Sequence, residues 1–145
     1  MINGVRHTGI VVRDIDGAIN FWVNLLGFNI VSNHLETGNF IDRLLGLEDV
    51  IVQTVKLVAR DQTMIELLHF ESHPSKETWS GTPYSSGLTH VALLTSQLST
   101  LVARLNAQGF HTINDIEVAP SGKVRVCYLN GFEGILLELV EAIAI

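Results

Sequence analysis

The chain has 145 residues and little cysteine, proline or clustered positive charge. Cys127 is its one cysteine, which excludes an intrachain disulfide and a cysteine-rich zinc site. Nine Lys and Arg residues against fifteen Asp and Glu give a formal net charge of −6, and the cations form no basic run. Because a nucleic-acid surface needs clustered cations to neutralise phosphates, the composition predicts no nucleic-acid partner.

Long hydrophobic runs are missing as well. No apolar stretch reaches the roughly 18 residues of a membrane span. The start, Met1 to Gly4, lacks the positive segment followed by an apolar one that is typical of a secretory signal. Hydrophobic residues make up 47% of the chain, which at this length favours one domain with a sizeable core. We therefore expect a folded cytoplasmic protein with no membrane partner.

What the sequence does contain is an internal repeat. His7 and Glu66 in the first half have counterparts, His90 and Glu138, in the second half. A Gly-Phe pair follows the first His by 20 residues and the second by 19. Each Glu lies inside an apolar segment near the end of its repeat, Met64 to Leu68 and Leu136 to Val140. The two halves resemble copies of one unit.

Hydrophobic periodicity predicts the same order of elements, β-α-β-β-β, in both repeats. The first repeat covers about residues 5–70, with strands at 5–12, 28–31, 51–58 and 64–70, a helix from the Asp14 cap to Gly27, and a short inserted helix within 39–47. A linker rich in Pro, Ser, Thr and Gly follows at about 71–86. The second repeat covers about 87–142, with strands at 88–94, 110–114, 123–129 and 135–140, and a helix at 98–107. Asn130-Gly131 predicts a tight hairpin turn before the last strand.

Strand alternation predicts which face of its sheet each of the four repeated residues, His7, Glu66, His90 and Glu138, points to. Because successive side chains point to opposite faces, each His and Glu lies opposite an apolar face that the helices are expected to cover. His69 and Glu141 have the opposite parity. We therefore expect His69 to point away from the candidate site and Glu141 to be a solvated residue at the strand end.

Two imidazoles and two carboxylates that meet at a pseudo-twofold axis would bind one divalent metal ion. The donor set suits Ni²⁺, Co²⁺, Zn²⁺, Mn²⁺ or Fe²⁺ and does not choose among them. Each residue also has an ordinary structural explanation. A strand His is more often satisfied by hydrogen bonds than bound to a metal, and a Glu in an apolar strand can face a water-filled cleft. The matched positions favour the metal site.

The doubled unit resembles the vicinal oxygen chelate superfamily of glyoxalases, bleomycin-resistance proteins and extradiol dioxygenases. The most specific matching segments are His7 to Val12, Asp16 to Phe28 and Gly134 to Glu138. The resemblance implies a single domain over residues 1–145, with an α+β fold in which two βαβββ modules form an eight-stranded, cup-shaped incomplete barrel with helices outside. It also implies a homodimer.

The resemblance implies that His7, Glu66, His90 and Glu138 are the metal ligands, as in members that are similar to glyoxalase I. Methylmalonyl-CoA epimerases usually have Gln at the Glu66 position, extradiol dioxygenases lack a ligand there, and bleomycin-binding members lack the ligand set. The leading hypothesis is a metal-dependent lyase or isomerase that abstracts a proton next to a carbonyl through a metal-bound enediolate, with Glu138 or Glu66 as base. An acyl-CoA epimerase, an extradiol-type dioxygenase and a non-catalytic binding or resistance protein are the alternatives.

The expected substrate is a small molecule with vicinal oxygens, but its identity stays open. Four cations, Arg43, Arg60, Lys123 and Arg125, fit either an anionic substrate or an ordinary charged surface. The turn at Asn130 to Gly134 and the insert at 39–47 depart from common family patterns. Both departures concern the substrate and leave the predicted fold unchanged.

Overall fold

Two four-stranded sheets organise the chain, one in each of two units that span Met1–Glu77 and Thr78–Ile145. The computed structural model describes residues 1–77, 79 and 82–143. The boundary between the units falls inside the predicted linker, of which Thr78, Ser80 and Gly81 lie outside the described residues. Each unit has the order β-α-β-β-β with a short extra helix in the first, so the α+β class and the two βαβββ modules are confirmed.

Module one is a mixed sheet in the order β1-β4-β3-β2, in which only β1 and β4 run parallel. Its elements are β1 (Thr8–Val11), α1 (Ile15–Ile19), a π-helical segment (Asn20–Leu25), β2 (Asn29–Thr37), α2 (Asn39–Leu45), β3 (Ile51–Val58) and β4 (Met64–Phe70). The alternation predicted for β4 is confirmed, because Ile65 and Leu67 are fully buried while Glu66 between them keeps partial access to solvent.

The first helix begins where the sequence predicts and changes pitch in the middle. Asp14 caps it by accepting a hydrogen bond from the Gly17 N–H at 3.0 Å. The π-helical segment then follows α1 directly and carries Trp22, which is buried against Phe28 with ring centroids 5.2 Å apart and near-perpendicular planes. Gly27 ends the helix with a φ of 83°, a conformation that suits glycine.

Module two repeats the topology in the order β5-β8-β7-β6, again with one parallel pair, β5 and β8. Its elements are β5 (Val91–Leu94), α3 (Leu98–Ala107), β6 (Glu117–Val118), β7 (Val124–Asn130), a 3₁₀ turn (Phe132–Gly134) and β8 (Leu136–Ala142). Helix α3 packs against β8 and buries Leu98 and Leu105 completely. No helix in the described ranges is long and apolar enough to cross a membrane.

Two details predicted for module two are wrong. Residues 110–114 form no strand but a single bridge between Thr112 and Leu129, and the edge strand lies later, at β6. The backbone bends at Ile113 and Asn114 and so interrupts the extended run. Asn130-Gly131 is not a two-residue hairpin turn, because Asn130 still pairs with Leu136 and five residues connect the strands.

Candidate metal centre

The first half of the candidate site is a contact between His7 and Glu66. His7 directly precedes β1, which begins at Thr8 and not at the predicted residue 5. The parallel pairing of β1 with β4 places Gly9 beside Glu66 and so brings His7 within reach of the carboxylate. The His7 Nε2 atom lies 2.9 Å from Glu66 Oε2, a hydrogen-bond distance.

A cation completes this first half-site on the other side of Glu66. Lys56 pairs with Glu66 across β3 and β4, and its Nζ lies 3.5 Å from Glu66 Oε1. The imidazole and the ammonium therefore contact different oxygens of one carboxylate. The Glu66 side chain is only 13% exposed, so an unpaired charge there would be costly and both contacts stabilise it.

The second half-site repeats the first with the same atoms. His90 directly precedes β5, and the pairing of β5 with β8 places Ala92 beside Glu138. His90 Nε2 lies 3.2 Å from Glu138 Oε2. The other ring nitrogen, Nδ1, is 2.9 Å from the Thr89 hydroxyl, a contact that fixes the ring orientation.

Tyr128 takes the place in module two that Lys56 has in module one. It pairs with Glu138 across β7 and β8 and donates a hydrogen bond from its hydroxyl to Glu138 Oε2 at 3.3 Å. Its ring also contacts the His90 ring edge-on, with centroids 5.3 Å apart. Burial raises the pKa of the Tyr128 phenol, and the neighbouring Glu138 charge and the hydrogen bond to that carboxylate raise it further.

His7 Nδ1 is the one buried side-chain polar atom without a hydrogen-bond partner in the part of the chain that the structure describes. The polar contact of the His7 ring is therefore the one between Nε2 and the Glu66 carboxylate. An imidazole nitrogen and a carboxylate oxygen at the same point are the donors that a borderline divalent ion prefers. Each half-site therefore supplies two donors of this chemistry, one imidazole and one carboxylate.

The structure brings the four predicted ligands together as two pairs, each inside its own module. Over residues 1–77, 79 and 82–143, no group of three or more His, Cys, Asp or Glu side chains is gathered closely enough to hold a metal ion. The set of four ligands around one ion stays a prediction that rests on the sequence repeat.

The residues predicted to lie on the opposite faces have structural contacts. His69 Nδ1 lies 3.2 Å from the Val12 carbonyl oxygen. Glu141 was wrongly predicted to be solvated. It accepts a hydrogen bond from the Leu98 N–H at the start of α3 and pairs with Arg125 at 2.8 Å. Arg125 also donates to the Ser99 hydroxyl at 2.6 Å, so the module itself uses this cation.

Lys56 and Tyr128 were missed by the sequence analysis. Each shares its strand with apolar or β-branched neighbours, and nothing in the local pattern marks either one. The signal is the register: both lie across from a repeated Glu, and a register is not visible without the lengths of the turns.

The fold defines the class of the protein, a duplicated βαβββ chain with one His–Glu pair in each module. Comparison with known proteins identifies its family. Residues 6–128 match the Glyoxalase/Bleomycin resistance protein/Dioxygenase superfamily. The chain belongs to this superfamily.

Individual relatives are similar along nearly the whole chain. The uncharacterized protein YwbC of Bacillus subtilis (strain 168) is 29% identical over an alignment of 145 positions. The alignment covers 97% of this chain and 99% of YwbC. A glyoxalase family protein from Bacillus cereus matches with a TM-score of 0.91 and 26% identity over 99% of this chain and 97% of that one. FosX, a fosfomycin resistance protein from Listeria monocytogenes solved with Mn(II) and sulfate, shares the fold with a TM-score of 0.64 at 16% identity, over 99% and 95% of the two chains.

Proposed function

We propose that His7, Glu66, His90 and Glu138 bind one divalent metal ion and that the protein is a glyoxalase-like lyase or isomerase. The observation that carries this proposal is the matched geometry of the half-sites. In both modules the Nε2 atom of a His that precedes a strand meets the Oε2 atom of a Glu on the neighbouring parallel strand, at 2.9 and 3.2 Å. Two contacts between the same kinds of atom, at equivalent positions of the repeat, favour one shared role over two separate structural ones.

The proposed cofactor is a single ion of Ni, Co, Zn, Mn or Fe. A bound divalent ion would supply Lewis acidity, which stabilises negative charge that develops on a substrate oxygen. The Mn(II) complex of FosX supports a divalent ion in a protein of this fold. At 16% identity the likeness to FosX concerns the fold alone, so metal binding by this chain is tested by direct measurement.

Glu138 is the proposed base for removing a proton from carbon next to a carbonyl. Both of its contacts, with His90 and with Tyr128, use Oε2. Among the described residues no hydrogen bond reaches Oε1, so this oxygen is available to accept a proton. Glu66 has both oxygens engaged and is the weaker of the two predicted catalytic residues.

The proposed substrate is a small molecule with vicinal oxygens. An acyl-CoA epimerase would need the same proton transfer, and the carboxylate at Glu66, where epimerases resembling this chain usually have Gln, favours the glyoxalase-like reaction. The remaining alternatives to a glyoxalase-like function are a dioxygenase and a non-catalytic binding protein.

One experiment separates these functions. The purified protein is stripped of metal, loaded with individual divalent ions and followed by calorimetry. Solvent deuterium exchange is then measured into the hemithioacetal of methylglyoxal with glutathione and into an acyl-CoA thioester. Exchange into the hemithioacetal alone supports the proposal, and exchange into the thioester alone makes the protein an epimerase. Oxygen uptake with a catechol and Fe²⁺ indicates a dioxygenase, and absence of metal binding indicates a binding protein.

We also propose that the protein is a cytoplasmic homodimer. Val11 on β1 and Leu94 on β5, at equivalent positions of the repeat, are 54% and 81% exposed on strands that form sheet edges. Exposed apolar side chains on edge strands favour association with a second copy. Light scattering on the purified protein tests the dimer, with a monomer mass contradicting it, and cell fractionation tests the location.

A further inference from the structure

Glu138 is contacted from both sides by residues of its own module. Its strand, β8, lies between β5 and β7 in the sheet, with His90 just before β5 and Tyr128 on β7. His90 Nε2 lies 3.2 Å from Glu138 Oε2, and the Tyr128 hydroxyl donates a hydrogen bond to the same oxygen at 3.3 Å. Two neighbouring strands therefore hold one carboxylate oxygen.

A carboxylate that is fixed at Oε2 also has a fixed Oε1. The carboxylate is planar, but the last torsion of a Glu side chain has a broad energy minimum, so a weak hold on one oxygen leaves the group free to rotate. Both contacts are longer than the roughly 2.5–2.9 Å of a strong hydrogen bond to a carboxylate, so neither alone holds Oε2 tightly. Together they restrict Oε2, and planarity then sets the direction of Oε1.

The hydroxyl of Tyr128 has a role that is separable from that of its ring. The ring contacts the His90 ring edge-on, with centroids 5.3 Å apart, and a phenylalanine would keep this packing. Only the hydroxyl reaches Glu138 Oε2. Because His90 is also a proposed metal ligand, the Tyr128 hydrogen bond is the contact on this oxygen that has no other assigned role.

We propose that Tyr128 is a positioning residue whose hydroxyl holds the Glu138 carboxylate in one orientation and so keeps Oε1 in place. The catalytic consequence rests on the proposed function, in which Glu138 removes the proton. A base displaced by about an ångström transfers a proton more slowly, although the substrate still binds. In a merely structural role, Tyr128 would fill space beside His90 and its hydroxyl would have no effect on Glu138.

The test compares three variants with the wild type. Tyr128→Phe removes the hydroxyl and keeps the ring, whereas Tyr128→Leu removes both. Tyr84→Phe is the matched control, because Tyr84 lies in the same unit with its side chain 88% exposed. Thermal unfolding shows that each variant is folded.

Two measurements are made on each protein. The first is carbon NMR of the metal-free protein labelled with ¹³C at its Glu carboxyl groups, in which the Glu138 signal is identified by its loss in Glu138→Gln. The second gives kcat and KM for solvent deuterium exchange into the hemithioacetal of methylglyoxal with glutathione, with the divalent ion that supports the fastest exchange.

Tyr128→Phe is expected to shift the Glu138 carboxyl signal and to lower kcat about tenfold, while KM stays within about twofold of the wild type. Tyr84→Phe should change neither quantity, and Tyr128→Leu should be at least as slow as Tyr128→Phe. An unmoved carboxyl signal or a wild-type kcat in Tyr128→Phe overturns the assignment, as does a loss confined to Tyr128→Leu. If the wild type catalyses no exchange, the proposed function fails. The carboxyl signal then decides about Tyr128 separately: a shift in Tyr128→Phe supports the assignment, and no shift overturns it.

Discussion

Glu141 joins the start of α3 to the sheet of module two, and removing its carboxylate is expected to destabilise the fold. Its Oε1 accepts the Leu98 N–H, one of the N–H groups at a helix start that have no partner inside the helix. Its Oε2 pairs with Arg125 Nη1 at 2.8 Å, and the Glu141 side chain is only 15% exposed. Glu141→Ala removes both contacts at once.

The magnitude follows from the two contacts. Loss of a side-chain acceptor at a helix start costs about 1 kcal/mol. The ion pair adds about 1 kcal/mol at most, because Arg125 is 34% exposed and solvent screens the pair. The free energy of unfolding should therefore fall by about 2 kcal/mol, which lowers Tm by roughly 4–8 °C in a protein of this size.

Chemical denaturation with two partial variants checks the assignment of the two contacts. Glu141→Gln keeps an acceptor for the Leu98 N–H and loses the charge, and Arg125→Met loses the ion pair together with the exposed Ser99 hydrogen bond and keeps the acceptor. Each should cost about half as much as Glu141→Ala. A Glu141→Ala protein within about 0.5 kcal/mol of the wild type would refute the capping role, since that is the range of ordinary surface substitutions.

Three further predictions concern the site and the core. Glu138→Gln should lower proton exchange by about 10²–10⁴, the usual contribution of a general base, while Mn²⁺ still binds in calorimetry; unchanged exchange would remove Glu138 from the reaction. Burial raises the pKa of the Cys127 thiol, so a thiol reagent at pH 8 should label the native protein only as fast as the protein unfolds, and rapid labelling of the native state would contradict this burial. Trp22→Ala should cost about 3–5 kcal/mol in denaturant unfolding, whereas Trp22→Phe, which keeps a ring against Phe28, should cost clearly less.

The main strands and helices could be predicted because their apolar residues are periodic and their ends are marked. Asp14 and Gly27 cap the first helix as expected, and Ile65 and Leu67 alternate with Glu66 as a half-buried strand requires. The strand predicted at 110–114 failed because a short edge segment depends on its pairing partner and has little pattern of its own.

The repeat marks the four His and Glu residues in the sequence, whereas their arrangement as two pairs and their neighbours across the sheet could not be predicted. A turn at Ala59 to Gln62 would place Glu66 opposite Val55. The actual turn is closed by a hydrogen bond from the Ala59 N–H to the Thr63 carbonyl and places Glu66 opposite Lys56. A change of one residue in a turn therefore decides which side chain shares the site.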